Sequence, residues 1–342
     1  MIEKLIEKAA KKVDLSLDEM ESTFSLIAEG KVPEKEIADL LVALAKKNET
    51  AEEITGAARA MRKFVSRVRV ERDVVLDTCG TGGDNKHTFN ISTVAAFVAA
   101  GSGITVAKHG NRSVSGSCGS ADLLEAFGVN IDVSVDTVEK CINEIGIGFL
   151  FAPNLHPAMR YVQPVRKSLK IRTIFNVLGP LINPAYPTHQ LLGVYDEKLV
   201  PVLADVLKNL GLKHAMVVWG QGGFDEVTTT GSTRVCEMGG ALGLNEGHIK
   251  EYVLEPEKLG LARVELEDIK GGDVETNRQM ASNVLKGMEG PCRDIVALNA
   301  GCCIYLAGRA NTIKEGMTLA FEAIDSGAAI KKMNKLIEYT NP

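Results

Sequence analysis

The first seventy residues repeat apolar positions at the three- and four-residue spacing of amphipathic helices. In the first of these helices the apolar positions are Ile2, Leu5, Ile6, Ala9 and Val13. Ser16 with Glu19, and Thr50 with Glu53, have the spacing of capping boxes, in which two side chains satisfy free amides at a helix start. No strand-like alternation interrupts this part of the sequence. The pattern therefore predicts a small all-helical domain.

The pattern changes at Val74, where short continuous apolar runs begin to alternate with helices. The runs that we interpret as strands lie at 74–76, 104–107, 148–152 and 215–219. Such an alternation is typical of a mostly parallel sheet that is covered by helices on both faces. A hairpin is also predicted over 227–237, around Gly231, and a helical end over about 274–336. The fold class is therefore α/β, with a small all-helical domain joined to a larger α/β domain.

A helical stretch marked by prolines, at about 157–187, interrupts the α/β pattern. We interpret this stretch as a return of the chain to the helical domain. The expected division is residues 1–70 plus about 157–187 for the small helical domain. Residues 71–156 plus 188–342 then form the large α/β domain, which carries the candidate sites described below.

Composition narrows the class of protein. The chain has 342 residues with a formal net charge of -5 and a pI of about 5.8, which argues against binding to nucleic acid through a basic face. No apolar run reaches the ~20 residues of a membrane helix, and no signal peptide is visible. The seven cysteines include no C-x-x-C pair, so reduced thiols in a cytoplasmic protein are expected.

In open parallel sheets, ligands bind beyond the carboxyl ends of the strands. The first predicted strand is followed by the glycine loop, which we define as residues 80–84 (Gly-Thr-Gly-Gly-Asp), and then by residues 90–93 at a helix start. Three glycines allow backbone amides to approach an anion closely, and a helix N-terminus adds free N–H groups. The loop is not a Walker A motif, and Asn85 replaces the third glycine of a dinucleotide-binding motif. A phosphate group of another kind of ligand is therefore expected here.

Two further strand ends carry polar residues. The second predicted strand is followed by residues 108–120, a segment with two cations, several hydroxyls and three glycines that suits a polyanion. The fourth is followed by Asp225 and Glu226 on a glycine-rich turn. Adjacent carboxylates are hard oxygen ligands suited to Mg²⁺, which commonly keeps waters and substrate phosphates as its other ligands. A substrate with phosphates at two ends, bridged by Mg²⁺, would use all three places.

Taken together, these motifs resemble those of the anthranilate phosphoribosyltransferase family. The resemblance also includes 156–159 (His-Pro-Ala-Met), 172–180 and 298–300, so it covers essentially the whole chain. It implies transfer of a phosphoribosyl group from phosphoribosyl diphosphate to anthranilate in tryptophan biosynthesis, with Mg²⁺ as the cofactor. It further implies a homodimer that forms through the helical domain. We expect no nucleic-acid partner and no membrane association.

The resemblance assigns a role to each matching position. The residues implied to bind phosphoribosyl diphosphate are Gly80, Gly83, Asp84, Thr88, Asn90, Ile91, Ser92, Thr93, Lys108, His109, Gly110, Asn111, Arg112, Ser113, Val114, Ser115, Gly116 and Ser120. Those implied to bind Mg²⁺ are Ser92, Asp225 and Glu226. Those implied to bind anthranilate are Gly80, Asn111 and Arg166. No residue is assigned as a general base, since a neutral aromatic amine already has a free lone pair.

One segment departs from the family pattern. A Leu-Gly pair usually precedes the Arg-Thr-Ile-Phe-Asn segment, but this chain has Leu169 and Lys170, and Ser168 stands at a position that is often acidic. The departure puts the local helix ending in doubt more than the chemistry.

Two other functions are consistent with parts of the sequence. A pyrimidine nucleoside phosphorylase has a similar fold and would use a nucleoside with inorganic phosphate. A non-catalytic relative that binds nucleic acid would be basic and would lack some of Ser92, Asp225 and Glu226, whereas this chain is acidic and has all three.

Overall fold

The computed structural model describes residues 2–113, 118–239 and 248–342. The α-helices are α1 (Ile2–Ala10), α2 (Leu17–Ala28), α3 (Glu34–Lys47), α4 (Ala51–Arg62), α5 (Ile91–Gly101), α6 (Ser120–Ala126), α7 (Val135–Lys140), α8 (Ala152–Leu155), α9 (Gln163–Leu169), α10 (Phe175–Leu181), α11 (Leu199–Asn209), α12 (Val274–Leu285), α13 (Pro291–Leu306), α14 (Ile313–Asp325) and α15 (Ala328–Thr340). The strands are β1 (Leu76–Gly80), β2 (Val106–Gly110), β3 (Ile147–Phe151), β4 (His189–Gly193), β5 (His214–Gly220), β6 (Thr233–Gly239) and β7 (Ile249–Leu254).

The strands form one seven-stranded sheet in the order β3-β2-β1-β4-β5-β6-β7. The first five strands are parallel to their neighbours, and β6 and β7 are antiparallel additions at one edge. The chain moves outward from β1 to β2 and β3 on one side, and then returns to place β4 on the other side. This reversal of direction next to β1 is where ligands bind in such sheets, just beyond the carboxyl ends of the strands.

The helical N-terminal region has the predicted elements. Both capping boxes are present: Ser16 and Glu19 exchange backbone and side-chain hydrogen bonds at the start of α2, and Thr50 and Glu53 do so at α4. The apolar faces of α1 to α4 share one buried cluster with Leu192 and Val217 of the sheet. The opposite face of the sheet packs against α5, α13 and α14 in a second cluster. The predicted fold class, a small helical domain with a larger α/β domain around a mostly parallel sheet, is confirmed.

Three details of the predicted sheet are corrected. Strands β4 and β7 were not predicted, although β4 lies in the centre of the sheet. The predicted hairpin around Gly231 is wrong, because β6 pairs with β5 and β7. The threonines before β6 bond locally instead: the Thr228 hydroxyl accepts from the amide of Thr230, and the Thr228 amide donates to the Thr233 hydroxyl.

The departure at Lys170 has a structural consequence. Helix α9 ends at Leu169, and Lys170 follows in the left-handed conformation with φ of 50°. Glycine adopts this conformation without a steric penalty, whereas a side chain with Cβ incurs one. The Leu-Gly pair of the family pattern therefore fits the observed helix end, and Lys170 is strained at the same place.

Within the described residues, no helix is long and apolar enough to cross a membrane.

We predict that Lys170→Gly stabilises the protein by about 0.5–1 kcal/mol, because relief of the left-handed strain exceeds the added entropy of the unfolded chain. Urea unfolding of the two proteins measures the difference. Lys167→Gly is the matched control: it lies exposed inside α9 and is expected to destabilise by about 1 kcal/mol. Equal losses of stability in both variants would contradict the account of Lys170.

Candidate active site

The glycine loop is held against the end of the sheet by an acidic residue from another strand end. The amide of Gly82 donates a 2.7 Å hydrogen bond to Oδ2 of Asp225. A Cβ atom on Gly80 would lie 2.1 Å from the same oxygen, and one on Gly193 would lie 1.6 Å from the Asp225 carbonyl oxygen. Gly80 and Gly193 are paired across β1 and β4. Two adjacent strands must therefore both end in glycine for Asp225 to reach the loop.

The neighbouring acid occupies the N-terminus of α5. Oε1 of Glu226 accepts a hydrogen bond of 3.2 Å from the amide of Ser92. The exposed N–H groups and the dipole at a helix N-terminus favour a negative group at this position. Ile91 and Thr93 are buried beside it, so their side chains shape the helix start, while only their backbone can face a ligand.

Three carboxylates thus lie together at the carboxyl edge of the sheet. Burial raises the pKa of Asp225, and the Asp84 carboxylate raises it further. Burial also raises the pKa of Glu226, and the Asp225 carboxylate adds to this shift. Lys108 opposes part of this effect on Glu226. The raised pKa values indicate negative charge that the protein itself does not fully compensate, and a divalent cation would compensate it.

The donor set fits a magnesium ion that is completed by its substrate. Within the three described stretches, no group of three His, Cys, Asp or Glu side chains is placed to hold a metal by itself. Mg²⁺ is commonly held by one or two carboxylates, with waters and substrate phosphates as its other ligands. Asp225 and Glu226 therefore suit Mg²⁺ better than a metal that requires an all-protein cage.

Lys108 lies beneath this edge of the sheet and not in the open loop. Its side chain is buried, and Nζ donates a 2.7 Å hydrogen bond to the carbonyl of Thr78. The Lys108 charge also opposes the burial that raises the pKa of Asp77. Lys108 therefore supplies positive potential to the site from below.

The segment after β2 is only partly as predicted. Ser120 contacts Asn111 through a hydrogen bond from its hydroxyl to the Asn111 carbonyl. A Cβ atom on Gly110 would lie 2.2 Å from the Ser120 hydroxyl oxygen, so this approach requires glycine. Arg112 forms ion pairs with Asp122 and Glu125 of α6 and is turned toward these acids. Of the predicted ligands, Val114, Ser115 and Gly116 lie outside the described residues.

A second group of residues, which was not predicted, supports the segment between the glycine loop and α5. Asn277 of α12 donates to Oδ1 of Asn90, and Asn90 in turn donates to the Cys118 carbonyl, at 3.1 and 3.0 Å. The amide of Gly271 donates to the His87 carbonyl, and Thr88 bridges to the same segment. The only signal in the sequence was the pair Gly271-Gly272 just before a predicted helix. These contacts fix the distance between the two segments that the sequence predicts to bind anions.

Arg172 also holds the glycine loop and was not assigned a role. Its Nη2 donates a hydrogen bond of 2.5 Å to the Gly83 carbonyl. Its guanidinium lies 3.8 Å from the ring centre of Tyr195, a stacked arrangement that favours arginine over lysine. The segment that follows α9 is thereby joined to the loop on the α/β side.

A cavity of about 480 Å³ lies beside this edge of the sheet. Its lining residues are His109, Asn111, Ala152, Pro153, His156, Pro157, Met159, Arg160, Gln163, Arg166, Phe175, Leu178, Gly179 and Ile182. Two of the three residues predicted to bind anthranilate, Asn111 and Arg166, therefore line one cavity. The third, Gly80, lies at the carboxylate cluster and is not part of this lining.

Arg166 is the cation best placed to bind an anion in this cavity. Burial lowers the pKa of its guanidinium, and the guanidinium lies 5.7 Å from the ring centre of Phe175. Among the described residues, no carboxylate forms an ion pair with Arg166. A partly desolvated guanidinium without a protein carboxylate can take a ligand carboxylate through two parallel hydrogen bonds.

The fold and the site define a two-domain glycosyl transferase. Residues 72–330 match the model of the glycosyl transferase family a/b domain, and residues 2–65 match that of its helical bundle domain. The chain is 50% identical over 340 residues to the anthranilate phosphoribosyltransferase of Anaeromyxobacter dehalogenans strain 2CP-C, a match that covers 99% of both chains. The chain therefore belongs to the anthranilate phosphoribosyltransferase family.

Solved structures agree with this assignment. The anthranilate phosphoribosyltransferase of Thermus thermophilus superposes with a TM-score of 0.92 at 43% identity, covering 98% of this chain and 99% of that one. The Saccharomyces cerevisiae enzyme in complex with phosphoribosyl diphosphate and Mg gives a TM-score of 0.89 at 30% identity, covering 99% and 97%. The yeast enzyme in complex with 4-fluoroanthranilate gives 0.86 at 30% identity, covering 99% and 98%.

We predict that the double variant Asp225→Asn, Glu226→Gln is more stable than the wild type without metal at pH 8, by about 1–2 kcal/mol. The amide oxygens can still accept from Gly82 and Ser92, while the repulsion between the carboxylates is removed. Both acids have raised pKa values in the folded protein, so they ionise more easily in the unfolded chain. The free energy of unfolding of the wild type therefore falls as the pH rises from about 4. The advantage of the variant should therefore shrink at pH 6.

Thermal unfolding in EDTA and in Mg²⁺ measures both effects. Mg²⁺ should raise the melting temperature of the wild type and leave that of the variant unchanged. A variant that is less stable at pH 8 and still stabilised by Mg²⁺ would show that the two acids neither repel each other in the folded protein nor bind the cation.

Proposed function

We propose that this protein transfers the 5-phosphoribosyl group of phosphoribosyl diphosphate to the amine of anthranilate. The products are N-(5-phosphoribosyl)anthranilate and diphosphate, and the reaction is an early step of tryptophan biosynthesis. One observation carries the proposal. The glycine loop with its neighbouring acids, which suit a phosphate and a cation, lies beside a cavity lined by Arg166 at the same edge of the sheet. Family membership independently supports the same reaction.

Phosphoribosyl diphosphate would lie across the glycine loop and the start of α5. The amides of Gly82 and Ser92 now donate to Asp225 and Glu226, and the same amides suit phosphate oxygens once those carboxylates turn to a cation. Bound Mg²⁺, held by Asp225, Glu226 and the Ser92 hydroxyl, supplies charge neutralisation for the diphosphate. Lys108 would add fixed positive potential from beneath the sheet edge.

The remaining ligand assignments of the site follow the same placement. Gly80, Gly83 and Asp84 of the glycine loop, with Thr88 and Asn90 after it, would contact the substrate through backbone and polar side chains. The segment from His109 to Ser113, with Ser120, would complete the pocket, provided that Arg112 exchanges its ion pairs with α6 for a phosphate.

Catalysis would rest on orientation and electrostatics. As the bond between the anomeric carbon and the diphosphate oxygen breaks, negative charge grows on the leaving group, where the loop amides released by the two acids and the positive potential of Lys108 would stabilise it. Arg166 would bind the anthranilate carboxylate, and Asn111 would help to direct the amine toward the anomeric carbon. Holding both reactants in this way replaces a chance encounter by a fixed approach.

The proposed domain arrangement would shield the reaction from water. Ala158 and Val165 pack in the same cluster as Leu40 and Leu44 of α3, which supports placing residues 157–187 with residues 1–70 in the helical domain. The cavity then lies between this domain and the α/β domain. Closure of one domain on the other would exclude water and limit hydrolysis of phosphoribosyl diphosphate.

We further propose a cytoplasmic homodimer that forms through the helical domain.

The test of the proposed reaction is the decrease in anthranilate fluorescence on incubation with phosphoribosyl diphosphate, with Mg²⁺ and with EDTA. We expect turnover that depends on Mg²⁺. A parallel incubation with uridine or thymidine and inorganic phosphate tests the phosphorylase activity. Cleavage of the nucleoside without consumption of anthranilate would replace the proposal by the phosphorylase function.

We predict that Arg166→Ala raises the KM for anthranilate by roughly 10²-fold, because a charge-assisted bidentate pair contributes several kcal/mol in a desolvated site. The KM for phosphoribosyl diphosphate should change by less than about threefold. Steady-state kinetics with each substrate varied in turn measures both constants. Arg160→Ala is the matched control, since Arg160 lines the same cavity but donates to Tyr161. Equal effects of Arg166→Ala on the two substrates would refute the role of Arg166.

A further inference from the structure

His109 and His156 form a pair at the wall of the cavity, and the proposed mechanism gives neither imidazole ring a chemical step. His109 lies in β2, and His156 follows α8, where the chain leaves the α/β domain. Their Nε2 atoms are 2.9 Å apart, and the ring centres are 4.9 Å apart. Both rings are buried and both line the cavity. A hydrogen bond between two imidazole nitrogens requires that one donates and the other accepts.

The neighbouring carbonyl decides the direction of this hydrogen bond. A hydrogen bond to the Gly179 backbone opposes the lowering of the His109 pKa, which is the effect of a carbonyl acceptor beside the ring. Because Nε2 of His109 already contacts His156, we assign this contact to Nδ1–H of His109. A neutral imidazole carries one N–H, so Nε2 of His109 must then accept. His156 therefore donates from Nε2–H, and its Nδ1 carries the free lone pair.

Burial keeps both rings neutral. It lowers the pKa of His156 to about 4 and places the pKa of His109 well below its usual range, with a further lowering by His156. The tautomers assigned above therefore persist at neutral pH, and the pair adds no positive charge beside Arg166.

The lone pair of His156 is open to the cavity. Within the described part of the chain, no donor lies within hydrogen-bond distance of Nδ1. That nitrogen is also not among the polar atoms that are sealed from solvent without a partner, and the ring lines the cavity. The chain of hydrogen bonds from Gly179 through His109 to His156 thus ends in an acceptor, Nδ1 of His156, that faces the cavity. A ligand group that donates a hydrogen bond fits this end.

We propose that His156 Nδ1 accepts a hydrogen bond from the amine of the aromatic substrate and takes one of its protons during transfer, a role that rests on the proposed function. The nitrogen lone pair forms the bond to the anomeric carbon, and the bond to diphosphate breaks with its electron pair leaving on oxygen. The nitrogen then carries a positive charge and loses a proton to His156 Nδ1. His156 returns this proton to water when the cavity opens.

A weak base is sufficient for this step. An arylamine that has gained a fourth substituent is a strong acid compared with an alkylammonium, so it gives up its proton readily. A neutral histidine in a dry cavity also avoids the cost of an ionised base before the reaction begins. The lone pair of His156 Nδ1 also favours an aromatic carboxylate that has an amine in the ortho position over one that has no hydrogen-bond donor there.

His156→Gln separates the proton-accepting role from a purely structural role. The glutamine amide can still donate to His109 Nε2, but it cannot take a proton. We expect the single-turnover rate of anthranilate consumption to fall by roughly 10²-fold, with the KM for phosphoribosyl diphosphate unchanged. His189→Gln is the matched control, since His189 is also buried but bonds Thr188 away from the cavity. The control should retain the wild-type rate.

His156→Phe supplies a binding measurement that does not depend on turnover. We expect the wild type to bind anthranilate more tightly than benzoate, which has no amine, and the variant to show a clearly smaller preference, since Asn111 still faces the amine. A His156→Gln rate within about twofold of the wild type would overturn the proposal, as would an unchanged preference for anthranilate in His156→Phe. A wild type that consumes no anthranilate would instead overturn the proposed function itself.

Discussion

The arrangement of the site depends on two carboxylates that are held where anions are expected to bind. Asp225 accepts from the glycine loop and Glu226 accepts from the start of α5, so each acid occupies an amide that suits a phosphate. The approach is possible because β1 and β4 end in paired glycines, with no side chain between the strand ends and Asp225. Negative charge is thereby concentrated at one point of the sheet edge. A cation that joins these acids would free the amides for the substrate.

This constraint explains why the two binding regions lie together. The reversal of strand order beside β1 brings the ends of β1, β2 and β5 to one edge of the sheet, and α12 fixes the spacing of the loops through Asn277. The segment that contains Arg166 and Phe175 packs with the N-terminal helices and closes the cavity from the other side. A phosphorylated donor and a carboxylated aromatic acceptor would therefore meet where this segment faces the edge of the sheet.

Sequence patterns predicted the parts of the structure that are set by local chemistry. The capping boxes at Ser16 and Thr50, the glycine loop and the acid pair were all recognisable, because turns, caps and metal ligands require particular residue types at close spacing. Strand β4 was missed because it begins with the polar residues His189 and Gln190. The Gln190 side chain donates to Asp77 of the neighbouring strand and to the Pro180 carbonyl, partners that the sequence pattern does not show. The hairpin was wrong because threonine hydroxyls can satisfy a turn as well as they suit a strand.

Other site residues could not be found from spacing, since their importance arises only from contacts across the fold. Gly193 matters through its register with Gly80, and Arg172 through a loop 89 positions earlier in the chain. The direction of Arg112 depends on acids of α6, and the pairing of His109 with His156 depends on two segments that meet at the cavity. In each case the sequence shows the residue type, but only the folded structure shows which residue it contacts.

The central claim is that the acid pair couples the cation to the phosphorylated substrate. Calorimetric titration of the wild type with phosphoribosyl diphosphate, in Mg²⁺ and in EDTA, tests this coupling directly. The account predicts that Mg²⁺ tightens binding by at least roughly tenfold, and that phosphoribosyl diphosphate tightens Mg²⁺ binding by the same factor, as thermodynamic linkage requires. Equal affinity for phosphoribosyl diphosphate with and without Mg²⁺ would contradict it.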